Sequence, residues 1–340
     1  LVTLEIEDSK SSPDGATAGY QALVAKGVKA IIGAQASSEA KAILPDANAA
    51  GLLLVSQGST ASSLAIPGDA LYRMVPTDKV ESRATVDLMA KQERNYLVTI
   101  GRDDAGNQGL ITSVTAGVPS SVTAATPSIT YPATSTVDTA PIVSAVQSAL
   151  ASTGAQAGRQ PAIYLAGFGE VSSILAALGG ANLASDVVIY GGDGSARSDS
   201  VTADAAAAKF AAEHGGFPSP LSTLDAQAVK ASAPLRAREE KSGVQPDAFS
   251  LGAYDALHII AKAWAASPDA TGSTLWNAFA KAANGYEGVT GTITLDSAGD
   301  RADGAYAFWS VCKVGSKYEW KQTGTWEPDG PNGTITFKAC

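Results

Sequence analysis

Histidine, cysteine and methionine are scarce in this chain, which has two of each among its 340 residues. A zinc site needs three or four His, Cys or carboxylate ligands close together, and neither His214 nor His258 has a second His or a Cys nearby in the sequence. The same scarcity leaves few general bases for a nucleophilic serine, and no G-x-S-x-G motif is present. We therefore expect no metal, no catalytic residues and no enzymatic activity.

Basic clusters, long apolar runs and phosphate-binding motifs are absent as well. Asp and Glu outnumber Lys and Arg by 33 to 24, which gives a formal net charge of −9. Nucleic acid is therefore not an expected partner. No apolar run approaches the ~18 residues that a membrane-spanning helix requires. Because the sequence also lacks a G-x-x-x-x-G-K-[ST] motif, we expect no nucleotide and no other cofactor.

The two cysteines both lie near the carboxyl terminus. Cys312 belongs to the stretch AYAFWSVCKV and Cys340 ends the stretch TITFKAC, and both stretches read as strands. Two strands of one hairpin-rich region can bring their thiols together, and a disulfide between them would indicate an oxidising compartment. Two unpaired, buried thiols are the alternative.

Apolar segments alternate with helical patterns along most of the chain, in two successive series. Strands are expected at residues 2–6, 28–32, 52–56, 96–101, 128–131, 162–166 and 187–190. Crossovers of this length require parallel strands, so the sequence predicts two doubly wound α/β domains. The last fifty or so residues carry alternating patterns such as GTITL and GTITF, which predict antiparallel hairpins.

Two turns rich in small polar residues follow neighbouring strands of the first series, GAQASS at 33–38 and SQGST at 56–60. Backbone N–H groups at the start of a helix attract anions, and open α/β sheets bind ligands at this edge. We therefore expect a small, carboxylate-like ligand here. The candidate contacts are Gln35, Ala36, Ser37, Gly58, Ser59 and Thr60. Ordinary helix capping by Ser37 and Thr60 is the alternative.

A third polar turn, GGDG at 191–194, follows the last strand of the second series. The carboxylate of Asp193 stands there in a position equivalent to the polar turns of the first series, and it is suited to accept an ammonium group. The alternative is an Asp that bonds to the backbone of its own turn, which is a common use of this residue. Spacing alone does not separate the two interpretations.

Nine separated motifs run through essentially the whole chain: LEIEDSKSSPDGA, GVKAIIGAQASSEA, GLLLVSQGSTASSL, LYRMVPTDKVES, IGRDDAGNQGL, AIYLAGFGEV, VIYGGDGSA, FSLGAYDALHIIAKAW and YEGVTGTITLDSAGDR. Together and in this order they resemble the type I periplasmic binding proteins, in particular the branched-chain amino acid (leucine, isoleucine, valine) binding branch of ABC importers. The resemblance implies two doubly wound parallel-sheet lobes joined by three hinge crossings, with antiparallel C-terminal hairpins.

The resemblance also implies how a zwitterion is held. Ser37, Gly58 and Thr60 would bind the α-carboxylate of an amino acid. The backbone carbonyl of Gly58 and the carboxylate of Asp193 would bind its α-ammonium. A ligand gripped in this way by both lobes would bridge and close them.

Further contacts are implied by the same resemblance. Asp78 would lie close to the ligand at the first crossing, and Phe168 would close over it. Phe168 has ordinary core packing as its alternative. Phe249 opens a helix on the cleft side and is either a ligand contact or a packing residue.

Three features depart from the family pattern. The family's opening strand and helix, of which the strand is normally central in the first sheet, have no counterpart ahead of residue 1. Ala105 stands where the family usually has an aromatic residue, and Gln35 stands where it usually has an apolar one. The pocket for the ligand side chain is then expected to be larger and more polar. Ligands other than branched aliphatic amino acids are therefore also candidates.

The implied organisation places residues 1–75 and 217–302 in lobe 1, with the carboxylate-binding turns, and residues 78–214 and 304–340 in lobe 2. The expected function is an extracytoplasmic solute-binding protein of an ABC importer, with an amino acid or a related amide or carboxylate as ligand and a membrane permease as partner. Its location would be periplasmic or extracellular (cell-surface), with a lipid anchor on an upstream segment left open. A ligand-sensing receptor domain, or a structural protein that self-assembles when a partner supplies the first strand, are the alternatives.

Overall fold

The computed structural model of the chain describes residues 3–134, 136–152, 158–243, 246–330 and 332–340. The chain forms two compact units, each built from two separate segments. Unit 1 comprises Leu1–Asp78 and Thr223–Gly304, and unit 2 comprises Lys79–Ser222 and Ala305–Cys340. No helix among the described residues combines the length and the apolarity that crossing a membrane requires.

The helices are α1 (Pro13–Ala25), α2 (Ser37–Ala50), α3 (Asp78–Lys91), α4 (Ala105–Gly117), α5 (Thr139–Ser152), α6 (Val171–Gly179), α7 (Asp199–Ala203), α8 (Ala205–Glu213), α9 (Ala226–Lys241), α10 (Ala248–Ala266) and α11 (Ser273–Ala283). The strands are β1 (Ala30–Ile32), β2 (Leu53–Ser56), β3 (Leu71–Pro76), β4 (Tyr96–Arg102), β5 (Thr123–Ala124), β6 (Ile129–Tyr131), β7 (Pro161–Ala166), β8 (Val188–Gly191), β9 (Ser219–Thr223), β10 (Tyr286–Gly288), β11 (Gly291–Ile293), β12 (Asp300–Arg301), β13 (Ala305–Val314), β14 (Lys317–Asp329) and β15 (Asn332–Phe337).

Unit 1 contains a four-stranded parallel sheet in the order β1-β2-β3-β12. Its two faces are both covered. Leu54 of β2 packs into a cluster with residues of α1 and α2, whereas Leu53 and Val55 pack into a second cluster with residues of α10 and α11. A strand that is buried on both faces needs apolar residues at every position, which explains the uninterrupted run at 52–55. This confirms the doubly wound arrangement.

The ends of the helices follow local sequence signals. Ser12 caps α1 by accepting the backbone N–H of Gly15, and Pro13 occupies the first helical position. Helix α2 ends at Gly51, whose φ of 65° lies in the left-handed region that glycine adopts without strain.

The strand expected at 2–6 is not formed. Val2 lies outside the described residues, and residues 3–9 have no regular secondary structure. Leu4 and Ile6 are 64% and 84% exposed. A groove of about 510 Å³ lies between this segment and β1, which is the last strand of its sheet. A strand is stable only when it pairs with a neighbour, and the described residues 3–9 pair with no strand of the sheet.

Unit 2 contains a parallel sheet in the order β5-β4-β7-β8, with β6 also paired to β4. Alternate residues of β7 pack on opposite faces: Ile163 and Leu165 join one buried cluster, and Tyr164 joins the other. The second parallel sheet that the sequence predicts is therefore confirmed.

The C-terminal strands of unit 2 form a further sheet in the order β15-β14-β13-β9, in which β13, β14 and β15 are antiparallel. Cys312 in β13 and Cys340 after β15 form a disulfide, which confirms the pair expected from the sequence. Because β9 is hydrogen-bonded to β13, the second segment of unit 1 begins at Thr223 rather than at residue 217.

Candidate functional site

The candidate residues of unit 1 lie at the carboxyl ends of β1 and β2. Ser37 is the first residue of α2 and is buried. Its Oγ accepts the backbone N–H groups of Thr60 at 3.1 Å and Ala61 at 3.0 Å. The N-cap of α2 is Ala36, so the helix-capping interpretation of Ser37 is wrong. With both lone pairs of Oγ engaged, the remaining capacity of this hydroxyl is to donate its hydrogen.

Ser56 connects the two polar turns through hydrogen bonds of its hydroxyl group. Its Oγ donates to the carbonyl of Ala34 at 2.6 Å and accepts the N–H groups of Ser59 at 2.9 Å and Gly58 at 3.3 Å. A Cβ at Gly58 would lie 2.6 Å from Cγ of Gln35, so a larger residue would push the turns apart. The structure thus brings the two turns together, as the sequence suggests.

The second turn carries two further buried hydroxyl residues. Ser59 is fully buried, and its Oγ has no hydrogen-bond partner among the described residues. The carbonyl of Thr60 accepts the N–H of Asp78 at 2.8 Å, which places the buried Asp78 next to this turn. The N–H of Ala36, in contrast, is taken by Oε2 of Glu39 at 3.2 Å.

A buried ion pair that we did not anticipate supports this turn. Arg73 of β3 is fully buried, and Nη1 donates to the carbonyl of Ala61 at 2.7 Å. Its Nε and Nη2 donate to the carboxylate of Asp300 at 2.5 and 2.6 Å. Burial raises the pKa of Asp300, although Arg73 opposes that effect. The signal available in the sequence was an arginine inside the otherwise apolar stretch LYRMVP.

The candidate residues of unit 2 lie at the carboxyl ends of β4, β7 and β8. Asp193 follows β8 and is half-buried. Its N–H donates to Oε1 of Glu81 at 3.0 Å, and its carboxylate accepts the N–H of Gly194. The structure therefore contains the contact with its own turn that the sequence left open. Burial raises the pKa of Asp193 to about 6.

Phe168 follows β7 and reaches solvent. It is 39% exposed, so the interpretation as an ordinary core residue is wrong. A Cβ at Gly194 would lie 2.9 Å from Cδ1 and Cε1 of Phe168, which shows how closely the ring approaches the turn of Asp193. The guanidinium of Arg102, at the end of β4, lies 5.1 Å from the ring centroid. Phe168 and Asp193 are thus brought together.

The remaining candidates are less clearly placed. Gln35 is exposed beside Gly58, and Ala105 is half-buried at the start of α4. Phe249 is half-buried in the first turn of α10 and makes no hydrogen bond or ring contact with another candidate among the described residues. Within the same part of the chain, no group of three or more His, Cys, Asp or Glu residues is arranged to hold a metal ion.

Three known proteins are similar to this chain over more than nine-tenths of its length. An uncharacterized protein of Methanocaldococcus jannaschii is 27% identical over 358 residues, which span 99% of this chain and 81% of that protein. The branched-chain amino acid transporter substrate-binding protein LivJ of Streptococcus pneumoniae, solved with isoleucine, is 20% identical with a TM-score of 0.67, over 93% of this chain and 86% of that one. An ABC transporter solute-binding protein of Rhodopseudomonas palustris, solved with 3,4-dihydroxybenzoic acid, is 17% identical with a TM-score of 0.71, over 97% and 87% of the two chains.

These solved structures share the fold of the chain. The model of one protein family, described as periplasmic binding protein, matches residues 2–315. That match covers most of both units, including the polar turns after β1 and β2 and the turn that carries Asp193. The chain belongs to the periplasmic binding protein family.

Proposed function

We propose that the chain is the solute-binding protein of an ABC importer and that its ligand is an amino acid or a similar small zwitterion. The observation that carries the proposal is the pair of complementary groups at the two sheet edges. Unit 1 offers the hydroxyl of Ser37, whose only free capacity is to donate. Unit 2 offers the carboxylate of Asp193. The carboxylate of an amino acid matches the first group, and its ammonium group matches the second.

The unit 1 turns offer hydroxyl donors that suit the oxygens of a ligand carboxylate. The hydroxyl of Ser59 is buried without a partner, and a ligand oxygen would satisfy it. A buried hydroxyl left unpaired costs about 1–3 kcal/mol, which a ligand contact would recover. Donors of this kind bind an anion without a full positive charge, in the manner of backbone N–H groups at helix ends.

We further propose the compartment in which the protein acts and the partner to which it passes its ligand. Periplasmic binding proteins act outside the cytoplasm, and the disulfide between Cys312 and Cys340 suits an oxidising compartment. We propose that a membrane permease receives the ligand, that the protein performs no covalent chemistry, and that any lipid anchor lies on a segment upstream of Leu1. A receptor domain of the same fold would use the same ligand contacts.

The identity of the ligand class is tested by thermal shift and calorimetry on a panel of the twenty amino acids, short amides, benzoate and 3,4-dihydroxybenzoate. A ligand present at 100 times its Kd should stabilise the protein by about 2.7 kcal/mol. We expect an amino acid to bind wild type but not Asp193→Ala. It should also bind the control Asp199→Ala, which removes an exposed acid of unit 2. Binding of the aromatic acids alone, unchanged in Asp193→Ala, would refute the zwitterion.

A second candidate function, self-assembly by strand addition, is favoured by the open edge of β1. The carbonyl of Lys29 accepts the N–H of Leu53, and the N–H of Gly33 donates to the carbonyl of Val55. Alternate residues of a strand bond to opposite neighbours, so the backbone groups of Ala30 and Ile32 point into the groove. We propose that residues 3–7 of a second copy occupy it, because Leu4 and Ile6 supply an exposed alternating pattern.

Light scattering over a range of protein concentrations tests this second candidate. We expect a dimer that dissociates in Ile6→Lys, since a lysine would place a charge in the apolar groove. Val229→Lys is the matched control, because Val229 is also exposed but lies on α9, away from the groove. A wild-type protein that is monomeric at every concentration would exclude self-assembly.

A further inference from the structure

The exposed ring of Phe168 is held in place by a network of buried and half-buried groups in unit 2. The centre of the network is Glu170, two residues further along. Oε1 of Glu170 accepts the backbone N–H of Phe168 at 3.1 Å and the hydroxyl of Tyr131 at 3.0 Å. One carboxylate oxygen thus joins the Phe168 loop to β6.

Arg102 lies near two carboxylates and the ring of Phe168, and it completes the network. Its Nη1 lies 3.8 Å from Oε1 of Glu170 and its Nε 3.4 Å from Oδ2 of Asp104. Neither pair makes a hydrogen bond, and Nε is buried without an acceptor among the described residues. The guanidinium is therefore positioned chiefly by its two flanking carboxylates and by the face of Phe168, as in a cation–π pair.

Two glycines near Phe168 allow close contacts that a larger residue would block. A Cβ at Gly167 would lie 2.1 Å from the hydroxyl of Tyr131 and 3.0 Å from Oε1 of Glu170. A Cβ at Gly194 would strike the Phe168 ring itself. The backbone at Gly167 thus lies against Tyr131 and Glu170, and the ring of Phe168 lies against Gly194 in the turn of Asp193. An exposed aromatic residue with such close support is unusual, because exposed side chains are normally free to change rotamer.

We propose that Glu170 is a positioning residue for ligand binding, which presets Phe168 as a rigid apolar contact for the ligand's side chain beside Asp193. The inference rests on the proposed function, since it assumes that the zwitterion binds at Asp193. A side chain fixed before binding loses no rotamer freedom when the ligand arrives, and such preorganisation strengthens binding. Tyr131 and Arg102 act through Glu170 and through the ring, and neither needs to touch the ligand.

The binding experiment compares leucine with alanine, which share the zwitterion and differ in the apolar side chain. We expect Glu170→Ala and Phe168→Ala each to raise the Kd of leucine about tenfold and that of alanine less than threefold. The double variant should be no weaker than Phe168→Ala, because both changes remove the same contact. Tyr131→Phe should give a smaller loss of the same kind. Glu213→Ala, at an exposed acid of the same unit, should change neither Kd.

A second measurement needs no ligand. The protein is labelled on its phenylalanine rings, and the signal of Phe168 is identified by its loss in Phe168→Ala. In Glu170→Ala we expect the Phe168 ring to show faster motion and averaged shifts, with the other phenylalanine signals unchanged.

An unchanged Phe168 signal in Glu170→Ala would overturn the inference, as would an equal loss of leucine and alanine binding. A wild-type protein that binds no amino acid would refute the proposed function and with it the role in leucine binding. The ring measurement would then still decide whether Glu170 positions Phe168.

Discussion

The raised pKa of Asp193 makes the proposed binding sensitive to pH. With a pKa of about 6, its carboxylate is about nine-tenths ionised at pH 7 and about one-tenth ionised at pH 5. Only the ionised form attracts an ammonium group, and an apparent Kd rises as the competent fraction falls. We therefore expect the Kd of the amino acid to increase about tenfold between pH 7 and pH 5.

The same pKa predicts that the stability of the ligand-free protein falls as pH rises, whereas ligand binding strengthens. The ordinary pKa of the group is 3.8, so between about pH 4 and pH 6 the folded state binds more protons at this site than the unfolded state. Stability then falls as pH rises through that window, and the ionised carboxylate destabilises the fold at pH 7. Asp193→Asn removes the charge, so it should raise the melting temperature at pH 7 and leave it unchanged near pH 3.5.

Calorimetry and thermal unfolding of wild type, Asp193→Asn and the control Asp199→Asn test both effects. Asp193→Asn should bind poorly and show a Kd that no longer depends on pH between 5 and 7, whereas the control should behave as wild type. A wild-type Kd that is constant over this range, or an Asp193→Asn protein less stable than wild type at pH 7, would contradict the assignment of Asp193 as the half-buried acid that binds the ligand's ammonium group.

Three further variants test other parts of the site. Ser37→Ala leaves two buried backbone N–H groups without an acceptor, so we expect a loss of about 1–3 kcal/mol in urea unfolding together with loss of binding. Arg73→Met strands the buried carboxylate of Asp300 and should cost about 3–5 kcal/mol; a loss below 1 kcal/mol would show that the pair is not buried in solution. Cys312→Ser removes a disulfide whose two cysteines are 28 residues apart and should cost about 3.5 kcal/mol. A reducing agent should destabilise wild type by the same amount and leave the variant unchanged.

The parts of the fold that sequence predicted well are those in which the signal is local. The run at 52–55 is apolar at every position because β2 is covered on both faces. Its short length, with Gly51 before it and the polar turn at 56–60 after it, identifies it as a buried strand. The polar turns at 33–38 and 56–60 follow such strands directly, so the closeness of Ser37 and Thr60 could be anticipated. The disulfide followed from the number of cysteines and their placement.

The parts that sequence missed depend on partners far away in the chain. Nothing near Arg73 indicates that its carboxylate is 227 residues away at Asp300. Glu170, in the turn before α6, accepts a hydrogen bond from Tyr131, which lies 39 residues earlier on β6. The segment at 3–7 has the alternating pattern of a strand, but pairing decides whether a strand forms, and pattern alone cannot supply the neighbour.

The distance between Arg73 and Asp300 along the chain bears on the order in which the protein is made. At about 5–20 residues per second, the ribosome needs roughly 10–45 s to travel the 227 residues that separate them. Throughout that time the turn at 59–61 has its arginine but not the acid that neutralises it, and β3 lacks the strand β12 on its outer edge. Unit 1 therefore cannot complete its sheet until Asp300 and Arg301 have emerged, and until then β3 has an open edge and Arg73 lacks its carboxylate partner.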